Sequence, residues 1–142
     1  NTAIPKLKLI GNPYFKNYFS ILKQTYSGPL WETQKARLSL FHDIVNSNGG
    51  NLAVVTFPFL NKLGADYEFG EVHQKLNSFW QEQKVPNLDL LPLFLPLSPS
   101  EVTVNRLDAH PNETAHQLAF GLIDQFVTEQ IANPKISTIT SK

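Results

Sequence analysis

The chain has 142 residues, 42% of them hydrophobic and 17% charged, the balance of a folded domain with a core of its own and not of a disordered segment. Its 12 basic and 12 acidic side chains cancel, so no charge excess points to a nucleic acid or an anionic membrane as partner, and no apolar run reaches the ~18 residues of a bilayer span. With no cysteine, disulfides, thiolate nucleophiles and thiolate metal sites are excluded.

In chain order, Leu7, Leu9 and Ile10 make a short apolar patch closed by Gly11-Asn12-Pro13. Phe15, Tyr18, Phe19, Leu22 and Tyr26 then recur at helical spacing until Ser27-Gly28-Pro29. A second helix is predicted from about Glu32 to Asn46, with Leu38, Phe41 and Val45 as its stripe, widened by Leu40 and Ile44. Asn48-Gly49-Gly50 ends it.

The run Leu52 to Phe57, ended by Pro58, lacks polar alternation and predicts a strand buried on both faces, as in a parallel sheet. A third helix is predicted over about Glu68 to Gln83, with Phe69, Val72, Leu76, Phe79 and Trp80 on its apolar side. Leu88 to Leu91, bracketed by Pro86 and Pro92, reads as a second short strand. A Pro- and Ser-rich loop then leads to Asp108, and a last helix carries the stripe Ala115, Leu118, Ala119, Leu122, Ile123, Phe126 and Val127. Residues 133–142 read as a polar tail.

Strand, helix, strand implies a crossover unit of an α/β layered fold. Two strands do not complete such a sheet, so either Leu7 to Ile10 adds a third or the remainder lies in sequence beyond these 142 residues. The absence of any Met, with Asn1 at the start, favours the second reading.

The stretch that carries chemistry is Asp108-Ala109-His110-Pro111-Asn112-Glu113-Thr114-Ala115-His116. Pro111 holds His110 out of the helical region, and Pro111 or Asn112 starts the last helix. A carboxylate two residues before the imidazole can accept its Nδ1–H and leave Nε2 free to take a proton from a serine.

This block resembles the closing block of the SGNH (GDSL-like) hydrolases, in its Asp-x-His-Pro-Asn form. Val54 to Leu60, Tyr67 to Phe69 with His73, and Pro86 to Pro92 extend the resemblance upstream. It implies a three-layer α/β/α fold with a parallel sheet, of which residues 1–132 form the later portion. The implied activity is serine ester hydrolysis, with His110 as general base and Asp108 as its orienting acid, and with no cofactor and no metal. The implied partners are an acyl ester of a small molecule, carbohydrate or lipid, and the missing N-terminal half of the same fold. The Gly-Asp-Ser nucleophile block and the oxyanion Gly-x-Asn-Asp block of that family do not occur in the chain. The alternative is a non-catalytic module of the same fold that binds a glycan or a partner. On either reading these residues alone are expected to be catalytically inert and incompletely folded.

The remaining candidates read as structural. His116 stands six residues from His110, not the four of a helical zinc pair, and is assigned to packing at the edge of the last stripe. His73 is assigned a structural role, His42 a solvated one, and Asp89 the role of accepting backbone N–H groups at a strand end. Ser78, Ser98 and Ser100 are placed on a helix surface and in a loop.

Overall fold

The structure, a computed structural model, describes residues 17–132. The patch Leu7 to Ile10, Phe15 and the tail 133–142 therefore lie outside the described residues. The chain falls into two compact units, Asn1–Ile44 and Val45–Lys142. The first holds helix α1 (Tyr18–Thr25) and most of helix α2 (Gly28–Ser47), which continues across the boundary.

The first helix stops just ahead of Ser27-Gly28-Pro29, as expected. The break is short, and α2 starts four residues before the predicted Glu32, because proline suits the first turn of a helix, where its missing N–H has no partner to lose. The predicted stripe of α2 also fails in part. Leu38 and Val45 are half-buried, while Leu40, Phe41 and Ile44 are exposed. Steps of 100° place Leu40 and Ile44 on a different side of the helix from Leu38 and Val45. The buried residue of α2 is Trp31, whose ring lies 5.6 Å from that of Tyr26 and 5.9 Å from Lys35 Nζ.

The expected glycine stop of α2 is present in full. Gly49 takes φ +77°, its N–H donates to Asn46 and that of Gly50 donates to Val45, the paired bonds of a Schellman ending. A Cβ on Gly50 would stand 2.9 Å from Val45 Cγ1, so the chain leaves the helix in close contact with its last turn.

The second unit is α/β. Strand β1 (Val54–Thr56) and strand β2 (Asn87–Asp89) pair in parallel, Val54 with Asn87 and Thr56 with Asp89, joined through helix α3 (Gly70–Glu82). The two expected strands and their parallel pairing are thus observed, but each strand is only three residues long and half-buried, not buried on both faces. Among the described residues these two strands are the whole parallel sheet. β2 stops early because Leu91 already opens a short helix, α4 (Leu91–Phe94), with Pro92 in its first turn. The apolar side of α3 is as predicted: Val72, Phe79 and Trp80 are buried, and Phe69 is its buried N-terminal flank.

The region expected to be a loop is mostly structured. After α4 comes helix α5 (Pro99–Val102), then an antiparallel hairpin of β3 (Thr103–Asn105) and β4 (Asp108–Pro111), then helix α6 (Glu113–Ala132). Ser98-Pro99-Ser100-Glu101 is a capping sequence, and the Glu101 carboxylate accepts both the N–H and the Oγ–H of Ser98 at 2.7 Å. Leu60 and Leu63, which bound the 3-10 turn η1 (Leu60–Lys62), pack with Leu90, Phe94, Val102, Ala115 and Ala119 into one cluster. The α6 stripe is buried only where it meets that cluster, at Ala115 and Ala119 with Ile123 beside them; Leu118, Leu122 and Val127 are exposed. Among the described residues no helix is long and apolar enough to cross a membrane.

Candidate active site

Asp108 and His110 both lie on β4. Successive strand residues point to opposite faces, so a two-residue spacing puts the carboxylate and the imidazole on the same face. Asp108 Oδ1 accepts from His110 Nδ1 at 2.5 Å and also from the His110 backbone N–H at 3.1 Å. An ionised carboxylate only accepts, so Nδ1 carries the proton and Nε2 is left with its lone pair. The imidazole side chain is 86% exposed, and among the described residues no hydrogen bond to Nε2 is made.

The pair is held from both sides. Asn105 Oδ1 accepts the N–H groups of Leu107 and Asp108 at 2.8 and 3.0 Å, which closes the two-residue turn into β4. On the other side Asn112 caps α6: its Oδ1 accepts the Ala115 N–H at 3.0 Å, while its Nδ2 donates to the carbonyls of Glu101 and Thr103. One side chain therefore starts the helix and ties it to α5 and β3. Asn112→Ala is expected to cost about 1–2 kcal/mol of stability, read by urea denaturation; a loss under about 0.3 kcal/mol, as from a neutral surface change, contradicts this role.

The hydrogen bonds from the His110 side chain and then from its backbone N–H hold the Asp108 carboxyl below the ordinary carboxylate range. A lowered carboxylate stabilises the fold above the unfolded-state value and ceases to do so as pH falls through the folded value. Carboxyl carbon NMR of Asp108 should show a titration below the usual range, and His110→Ala should raise it. An Asp108 titration at the same pH in both proteins contradicts the pairing.

A second histidine–carboxylate pair lies in the interior, where sequence reasoning did not place one. His73 on α3 is 4% exposed, and its Nδ1 lies 2.7 Å from Asp89 Oδ1 at the end of β2. Its Nε2 lies 3.2 Å from the hydroxyl of Tyr67, which also accepts the Phe59 N–H at 3.1 Å. Asp89 accepts the Leu91 N–H, the backbone bond expected of it, and the Asn77 amide, which in turn accepts from Asn87. The one assignment that satisfies every group is a neutral His73 with its proton on Nδ1 and Tyr67 donating to Nε2. Tyr67 is no nucleophile here: burial is the first cause that raises its hydroxyl above the usual range, so it stays a phenol. The alternation Asn87-Leu88-Asp89 on a strand beside His73 on a helix was the available signal, but the pairing needs the register to be known.

Of the other candidates, His116 is exposed on α6, and His42 is half-buried and not fully solvated. Ser78 is exposed on α3. The Ser98 hydroxyl donates to Glu101 and lies 3.0 Å from Ser100 Oγ. No described cluster of three His, Cys, Asp or Glu residues suits a metal ion.

No protein-family model, curated protein or solved structure matches the chain.

Proposed function

We propose that this chain supplies the acid and the base of a Ser-His-Asp ester hydrolase of the SGNH type, with a three-layer α/β/α fold completed by sequence beyond these 142 residues. The observation that carries the reading is the Asp108–His110 pair, an imidazole oriented through Nδ1 with Nε2 free on the exposed face of the β3–β4 hairpin. The nucleophilic serine comes from the missing portion. It attacks the acyl carbon of an ester of a small molecule, carbohydrate or lipid as His110 Nε2 takes the hydroxyl proton, and the same nitrogen returns that proton to the departing alkoxide. Asp108 holds the ring and stabilises the imidazolium between the two transfers. The half-buried two-stranded sheet fits a fold whose neighbouring strands lie elsewhere.

The second reading, a non-catalytic module of the same fold, draws on the absence of a Gly-Asp-Ser block from these residues. A fluorophosphonate probe separates the two. The longer protein should be labelled at a serine outside residues 1–142, and a protein of these residues alone should not be labelled. Labelling of a serine within 1–142 overturns the assignment, and a longer protein that neither labels nor hydrolyses p-nitrophenyl esters is the binding module.

A further inference from the structure

The hydrogen-bonded chain Asp89–His73–Tyr67–Phe59 starts at the carboxyl end of β2, and Phe59 follows closely on the carboxyl end of β1. Open α/β sheets place their ligands at that end. Tyr67 closes the segment Phe59–Tyr67 on itself through the Phe59 N–H, and this segment contains η1. The turn η1 packs against α5 and against β4, the strand that bears Asp108 and His110. Leu60 and Leu63 fix how deeply the segment sits in the core, but apolar burial has no direction. The hydrogen bonds to Tyr67 and His73 supply it.

We propose, on the basis of the acid–base reading of His110, that Asp89, His73 and Tyr67 are positioning residues. Their hydrogen-bonded chain sets the Phe59–Tyr67 segment as the wall against which β4 lies, and so fixes where His110 meets the serine and the ester. An apolar pair of the same volume would hold the core at least as well as a buried imidazole and carboxylate; the polar chain adds orientation. The charge on Asp89 matters less than its accepting geometry, since Asn77 stands beside it and already shares its second oxygen.

The test uses the longer protein, with p-nitrophenyl acetate as substrate and active sites counted by fluorophosphonate, so that unfolded molecules do not enter the rate. Tyr67→Phe removes one hydroxyl and keeps the ring against Phe69. It should lower kcat about 10- to 100-fold, the effect of a misplacement of about 1 Å at a reacting centre, with KM within about twofold. Asp89→Asn turns an amide N–H₂ toward that of Asn77 and should fall further. Adding Asn77→Asp restores donor facing acceptor and should return most of kcat, which a purely electrostatic role for Asp89 does not allow. An unchanged kcat in Tyr67→Phe, or no rescue by the double change, overturns the proposal.

If the wild-type protein turns over no ester, the hydrolase reading fails and the positioning claim is judged by ¹⁵N-histidine NMR. Tyr67→Phe should then move the ring-nitrogen signals of His110, and unmoved signals reject it.

Discussion

His110→Ala is expected to remove ester turnover from the longer protein, by on the order of 10⁴-fold or more in kcat. The size follows from what the ring does. A serine hydroxyl is a weak nucleophile unless its proton has a place to go as the bond forms. Nε2 of His110 is the acceptor that Asp108 leaves free, an arrangement that His73 does not repeat. His73 has both nitrogens engaged and is buried. Folding should survive the change, because the ring is exposed and β4 is held by Asn105 and Asn112. Steady-state rates with a p-nitrophenyl ester, beside a thermal melt, check both halves of the claim. Turnover within tenfold of wild type would falsify the role of His110. Asp108→Asn should also lower kcat, since an amide can favour the wrong tautomer, with KM little changed.

The largest structural effect is expected from Phe94→Ala, at about 3–5 kcal/mol. Phe94 has no exposed surface and packs with Leu60, Leu63, Leu90, Val102, Ala115 and Ala119, so the cluster it fills joins η1, α4, α5 and α6. Its ring also meets that of Phe57 at 6.0 Å. These elements surround the hairpin that carries the Asp–His pair, and the neighbouring alanines are too small to collapse into the space left behind. Whole domains are stable by only about 5–15 kcal/mol, so this single truncation consumes a large part of the margin. Chemical denaturation of the protein and its variant measures it. A loss below about 1 kcal/mol contradicts the packing described.

The Asp108–His110 pair was legible because its geometry is local. Two residues apart on an extended segment, with proline after the histidine and asparagine to start the next helix, the side chains meet whatever the rest of the chain does. The same holds for the Gly49-Gly50 ending of α2, set by a left-handed residue and a close backbone approach, and for the apolar side of α3. The capping sequence at Ser98 was equally local and predicts α5 once Glu101 is read with it. What the sequence alone determined about this protein is thus the set of interactions spanning a few residues: helix ends, strand and helix type, and the orientation of one imidazole.

Tertiary structure decided the rest. His73, Tyr67 and Asp89 lie up to 22 positions apart in sequence, and nothing in their spacing brings them together. Parallel pairing of β1 with β2, with α3 between, does so, and burial then obliges each polar group to find a partner. Packing likewise chose which apolar residues of α2 and α6 are covered. Periodicity marks a face as able to be buried, but Leu40, Ile44, Leu118 and Val127 are exposed because burial also requires a surface opposite, and that surface is a property of the whole fold.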